Sequence, residues 1–487
     1  MKKLLSVYAA TLLATLMLCT PALAKELYAG TEDGYPSLTS AVEAAAPGDV
    51  IHIAPGIYDE PRETYPIEIN KPLTLLGEPG AVLKGPAFKA LLTVNAPDVS
   101  VNGLEFRFLR WGIVDTGDRL SLSGCRFILA DEAYRVSSCG VWLAGVRNCS
   151  IAGCDFTGCG VCMAGPPLSE RSRELPVLTG LFEVGEDTSF FTTHTMKNNR
   201  INGKPLYYFV NEKDVTVPKD AGGVIAALCE SVTAEGIDVS GSSMGLELIH
   251  CRKVRVERVS ADRCGIFGIY LAHDSCGVVK NATCRESNHG IDLRAVQNMI
   301  VTGCETSNCE QGIFLSRARD CVVDDCRILS CGNGFFIAGG TGNQLSESFV
   351  DGNDNGVYVQ GEKNMLVCGN EITGNTVAGV RFLRSHGQVT DNNIHDNQTG
   401  VLAAEDEPLT LLRNSFNGNT SAGLYMKDIA SGKITSNDFG SAEKVFMELD
   451  GEIAGTLIFG NTFHGGVNQV IDHTGGQVPL DLNNWND

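Results

Sequence analysis

Between Gly223 and Gly423 the chain repeats one short phrase ten times, a glycine followed by an apolar, a variable and an apolar residue. The phrase opens as Gly223-Val-Ile-Ala, Gly245-Leu-Glu-Leu and Gly268-Ile-Tyr-Leu, and closes as Gly379-Val-Arg-Phe, Gly400-Val-Leu-Ala and Gly423-Leu-Tyr-Met, at intervals of 21 to 23 residues. A fixed period of that length belongs to a solenoid, whose repeats bury their apolar faces only by stacking on one another. It also makes residues one period apart in sequence neighbours in space.

A single coil, such as Asp320 to Ile337, alternates β-branched and aromatic residues and breaks them with Asn, Asp, Gly and Cys. This is strand and turn chemistry without a 3.6-residue periodicity. The expected fold is all-β, a right-handed parallel β-helix of about 22 residues per coil with an N-terminal capping helix and one long insertion; the fixed frame of a leucine-rich repeat is absent. The helix is expected at Tyr35–Ala46, with Leu38, Ala41, Val42 and Ala45 on its apolar side and Pro47-Gly48-Asp49 as its stop. It covers the end of the core, which would otherwise leave apolar residues and a strand edge exposed.

The chain divides into a signal peptide (1–24), an N-terminal cap and first strand (25–60), irregular coils (61–164), an inserted loop or hairpin (165–222), regular coils (223–440), and last coils with a C-terminal cap (441–487). Lys2 and Lys3, the apolar run Leu4–Leu18 and Ala22-Leu-Ala24 compose the signal, which implies a periplasmic or secreted protein. No other stretch is long and apolar enough for a membrane span. A formal net charge of −20 disfavours nucleic acid as a partner. The expected partner is a carbohydrate polymer or a periplasmic protein, and the expected state a monomer.

Cysteine and asparagine share columns. Cys304, Cys326, Asn370, Asn392 and Asn414 fall in one 22-residue frame, and Cys309, Cys331, Asn353, Asn375, Asn397 and Asn419 in another. They read as stacked turn residues inside the solenoid, with disulfides between adjacent coils as the alternative. The acidic turns Asp351–Gly356 and Glu405–Glu407 match neither a Gly-Gly-x-Gly-x-Asp repeat nor an EF-hand loop.

Strand alternation sends the variable residue of each phrase outward. The outward column is then Ile225, Glu247, Tyr270, Asp292, Phe314, Phe336, Tyr358, Arg381, Leu402 and Tyr425. Half of it is aromatic in a chain that is 7% aromatic, so Tyr270, Phe314, Phe336, Tyr358, Arg381 and Tyr425 form a candidate ligand-binding stripe. Polar chemistry concentrates at one end. His273, Asp292, Arg294, Glu247 and Arg317 are the candidate catalytic group, supplying proton transfer and charge stabilisation from four consecutive coils. His250 and His273, stacked on adjacent coils, are the candidate metal ligands, for copper or another divalent cation.

Residues 195–430 resemble NosD-type β-helix proteins, within the wider group of carbohydrate-binding and sugar-hydrolase β-helix modules. Asn198-Asn-Arg-Ile-Asn-Gly-Lys-Pro-Leu-Tyr-Tyr, Val217-Pro-Lys-Asp-Ala-Gly-Gly-Val and the Gly-Ile-x-Leu coils carry the likeness. It implies an exported right-handed β-helix and, through the founding members, copper-site maturation in nitrous oxide reductase. Ala44–Tyr58 is similar to the opening of pectin-processing β-helix proteins. Tyr270-Leu-Ala-His-Asp shares only its final His-Asp with the Asp-Pro-His-Asp motif of alginate epimerases. Three readings follow: binding of a carbohydrate or extracellular partner along a groove, a polysaccharide lyase, hydrolase or epimerase, and an accessory factor for copper-site maturation.

Overall fold

The computed structural model describes residues 24–166, 185–405, 408–429, 431–453, 455–474 and 480–486. The signal peptide up to Leu23, the charged run Glu170–Glu174 of the insertion, and Asp406-Glu407 lie outside them.

The chain is a right-handed parallel β-solenoid. Ile269, Ile291, Ile313 and Phe335 stack in one inward row, each in register with the next and each fully buried. Parallel strands place such equivalents about 4.8 Å apart, and the aromatic rows follow that spacing. Phe106, Phe127 and Phe156 stack inside the early coils at centroid distances of 4.7 and 4.9 Å. Phe416, Phe439, Phe463 and Trp485 do so in the last ones.

The cap forms where the sequence places it, as an α-helix over Leu38–Ala44 with Leu38, Ala41 and Val42 buried. Ser37 and Ser40 make a reciprocal capping box. The Glu63 carboxylate accepts from the free amides of Leu38 and Thr39, at 2.8 Å each, where the positive end of the helix favours an anion. A second short helix, Ser189–Thr192, has no counterpart in the sequence reading.

The solenoid is not one straight stack. The stretch 165–222 does not all leave it: Thr195–Lys197 and Arg200–Ile201 complete the last coil of a first stack by pairing with Ser150–Ala152 and Asp155–Thr157. After Asn202-Gly203 the chain reverses, and Lys204–Val210 pairs antiparallel with Arg200–Ile201 and parallel with Gly223–Ala227, which starts a second stack. The two stacks lie side by side. Gly160 donates to Ser243 Oγ at 2.8 Å, Ser137 to the Gly265 carbonyl at 2.6 Å, and the Arg135 guanidinium to the Glu286 carbonyl. Stepping back through the first stack thus means stepping forward through the second.

The cysteine–asparagine columns are hydrogen-bonded ladders. Asn397 is typical: its Oδ1 accepts from the backbone and side-chain nitrogens of Asn375, at 3.1 and 2.7 Å. Its Nδ2 donates to the carbonyls of Ile372 and His395 and to Asn419 Oδ1, at 3.0, 3.0 and 3.1 Å. The column ends on Glu443, whose Oε1 accepts from Asn419 and whose carboxyl burial pushes up to about 7. Higher in the same column cysteine replaces asparagine, and the seventeen cysteines from Cys125 to Cys368 are free thiols. Asn397→Ala removes an acceptor and a donor from a sealed column and leaves two buried neighbours unsatisfied. It should lower the unfolding free energy by roughly 3 kcal/mol or more, measured by urea titration against an exposed control such as Gln398→Ala.

Candidate functional site

The fold-back decides which outward residues meet solvent. In the second stack Glu247, Tyr270, Asp292 and Phe314 occupy one in-register column. The first three are completely buried, whereas Phe314, Phe336, Tyr358, Arg381 and Tyr425 are half-buried. The facing sheet of the first stack behaves the same way: Cys162, Trp142 and Val114 are buried, Thr93 is half-buried and Glu68 exposed along one column. Both walls therefore run from buried at the hinge to open away from it. They bound a tapering cleft.

At its closed end the walls share one apolar cluster, with Trp111, Trp142, Cys162 and Met163 from the first stack and Ile225, Met244, Phe267 and Tyr270 from the second. Glu247 is enclosed there. Among the described residues the Met163 backbone amide is its one near donor and makes no well-formed hydrogen bond to either oxygen, and the Tyr270 hydroxyl and Trp111 Nε1 have no partner. Burial pushes the Glu247 carboxyl well above the ordinary carboxylate range, and the Met163 backbone amide opposes this only in part. One step towards the mouth, Arg294 Nε and Nη2 hold Asp292 Oδ1 and Oδ2 at 2.8 and 3.0 Å, and His289 Nδ1 lies 2.7 Å from Oδ2. Burial works against the Asp292 carboxylate, but the Arg294 charge and the bonds from His289 and Arg294 outweigh it and hold the group below its usual range. The guanidinium also lies 5.2 Å from the Phe267 ring centroid and 5.4 Å from that of Phe314.

Of the candidate catalytic group, the structure thus brings Asp292, Arg294 and Glu247 to one interface and adds His289. It does not bring His273 or Arg317. His273 follows the end of the strand Phe267–Ala272, and Arg317 lies within the strand Gln311–Arg319; both are in left-handed backbone, at φ 56° and 53°. His273 stacks on His250 at 4.6 Å, and His250 Nε2 bonds the Gly185 carbonyl at 3.1 Å. Among the described residues no group of three or more His, Cys, Asp or Glu is placed to hold a metal ion. Sequence reasoning could not find Trp111 and Trp142, because they belong to a face that reaches the site only through the chain reversal.

The aromatic stripe is a ladder. Phe336 and Tyr358 stack face to face at 4.8 Å and 10°, Phe314 tilts against Phe336 at 5.1 Å, and Arg381 covers the Tyr358 ring at 4.8 Å. It offers ring edges outward. Beside it runs an amide column: Asn333 Nδ2 donates to Gln311 Oε1 at 3.1 Å and Asn355 Nδ2 to Asn333 Oδ1 at 2.9 Å. Among the described residues, the buried Asn355 Oδ1 that ends the column and the buried Arg381 Nε of the next coil have no hydrogen-bond partner.

Residues 338–487 match the family model described as periplasmic copper-binding protein (NosD), and residues 222–364 the model described as right handed beta helix region. No curated protein matches the chain. Among solved structures, bacteriophage CBA120 tailspike protein 3 is 10% identical at a TM-score of 0.30, over 87% of this chain. This chain spans 58% of that one. The periplasmic alginate epimerase AlgG is 12% identical at 0.28, over 87% of both chains. DFA-IIIase from Arthrobacter chlorophenolicus A6 without its lid is 13% identical at 0.31, over 71% of this chain and 87% of its own. Likeness at this level carries no chemistry across.

The enclosed Glu247 sets a pH test. Its folded pKa is raised above the ordinary 4.5, so its contribution to stability is fully present below pH 4.5 and is lost as pH rises towards the folded value. Glu247→Gln stays neutral throughout. Its melting temperature should exceed that of the wild type by a margin that grows from pH 4.5 to 8, as read by differential scanning calorimetry; a constant margin would place Glu247 in water.

Proposed function

We propose that this is an exported protein that binds an extended carbohydrate along the open part of its longest sheet, over Gln311–Leu383, with the narrowing cleft as the end of the track. One observation carries the reading. Phe314, Phe336 and Tyr358 stand half-buried in one in-register outward row, which Arg381 continues. Aromatic surface beside a guanidinium offers apolar contact to sugar C–H groups and a donor to their hydroxyls. The side chains stand on strands locked in register, which holds the ligand groups at a fixed spacing and lowers the ordering cost of binding. The net charge of −20 favours a neutral glycan over a polyanion. Export is supported by the signal-like first 24 residues and by the description of the family matched at 338–487.

The accessory reading has that same family match in its favour. The residues do not fit a resident copper ion: among the described residues no ligand group of three converges, and the cysteines other than exposed Cys276 and half-buried Cys368 lie buried in the core. A turnover reading centred on His273 has that ring stacked on His250, while Asp292 is held by Arg294 and His289.

Tyr358→Ala and Arg381→Met should each weaken the best-binding oligosaccharide by roughly 3- to 10-fold, the worth of about one polar contact, by isothermal titration with the fold intact by circular dichroism. If wild type retains none of a panel of neutral and uronate oligosaccharides, the carbohydrate reading is wrong.

A further inference from the structure

The outer face of the ten-stranded sheet, remote from the cleft, carries a second concavity. It measures about 550 Å³ and is lined by Asn393, His395, Ser415, Asn417, Asp438 and His464, with Gly440 and Ser441. That volume falls within the roughly 300–1,000 Å³ of small-ligand sites. Two in-register columns build it. Asn393, Ser415 and Asp438 succeed one another on adjacent coils. His395 and Asn417 form the second column; Gly440 and His464 follow the paired Phe416–Phe439–Phe463 row by one residue and continue it.

The repeat breaks at Gly440. Its neighbours in the column carry an amide and an imidazole, whereas a side chain at 440 would begin 2.5 Å from Asn417 Oδ1. Its φ is not in the left-handed region, so the backbone does not demand glycine there; the space does. Glycine at 440 leaves room for the Asn417 amide to lie across this position and line the cup.

Its walls are fixed in place. His464 Nε2 is 2.8 Å from Asp438 Oδ1, and His395 Nδ1 is 2.8 Å from Asp396 Oδ2 and 3.2 Å from Thr373 Oγ1. Each imidazole is thus oriented by a carboxylate, and both stand at strand ends rather than on mobile loops. Between them lie two hydroxyls and two amides, each able to donate and accept. The one formal charge lining the cup is the Asp438 carboxylate, already turned to His464, which disfavours an anion.

From this geometry we infer that the cup centred on Gly440 is a second, separate binding site that takes a neutral polyhydroxylated ring, a sugar unit. It does not depend on the cleft-side track, because it uses a different sheet and none of the same residues.

The test follows the imidazoles. Full-length protein labelled at histidine Cε1 is titrated with neutral gluco-, manno- and xylo-oligosaccharides, and in parallel with uronate oligomers, while the nine histidine resonances are recorded. The signals of His395 and His464, assigned by His→Gln variants, should shift saturably with at least one neutral oligosaccharide and not with uronates. Gly440→Leu, which fills the cup, should abolish the shift, and Asn417→Leu, which keeps the volume but removes the amide, should weaken it at least threefold. Asn355→Leu, on the other sheet, should leave it unchanged. Shifts that persist in both Gly440→Leu and Asn417→Leu, or that appear only with uronates, or no shift with any neutral sugar, would overturn the inference.

Discussion

Each buried asparagine in a turn column has to satisfy two coils at once. Its carbonyl oxygen receives the amides of the coil before, and its amide reaches the coil after, as Asn375, Asn397 and Asn419 do in sequence. A coil shifted by one residue would lose both, and would also turn its inward Ile or Val outward. Register is therefore held twice, by polar ladders at the corners and by apolar rows such as Ile269–Ile291–Ile313–Phe335 on the faces. Everything that depends on which residue stands beside which rests on this lock, including both candidate sites.

The ladder also explains the cysteines. The Cys331 amide donates to Asn353 Oδ1 at 2.8 Å, as the Asn353 amide does to Asn375, so a cysteine enters the column without breaking the chain of backbone donors. Its thiol is small enough for the enclosed corner and donates weakly to the carbonyl two residues back, for Cys331 the Leu329 carbonyl at 3.3 Å. Alternation of Cys and Asn in a fixed frame is thus one structural slot filled by two chemistries. Neither a disulfide framework nor a metal knuckle is needed to account for it.

How much of this could be read from the sequence follows from which interactions are periodic. The repeat gives the coil, the inward rows, the columns and the cap helix, because each is local or one period away. The chain reversal at Asn202-Gly203 is neither: a two-residue turn with a positive-φ asparagine at 49° and a glycine at 80° lies inside what reads as an insertion. It folds the first stack over the second. That single event buries Glu247, Tyr270 and Asp292, which strand alternation correctly sends outward, and it recruits Trp111 and Trp142 from more than a hundred residues away. His273 and Arg317 depart from the column of Asp292 for a smaller reason: both stand in left-handed backbone, at φ 56° and 53°, where the extended alternation of a strand is interrupted.

Where the repeat is perfect, the outer face is committed to itself: rings stack on rings, amides bond amides, and nothing is left to hold a ligand. Binding capacity arises where a column is interrupted. Asn355 is followed in its column by Ala378, which has no amide to donate to it, so the amide column stops there. Gly440 follows Asn417 and leaves room for its amide at the edge of the cup. Tyr358 is followed by Arg381, which ends the ring stack and lays its guanidinium over the last ring. In a solenoid of this kind the stability resides in the residues that obey the period, and recognition resides in the few that depart from it.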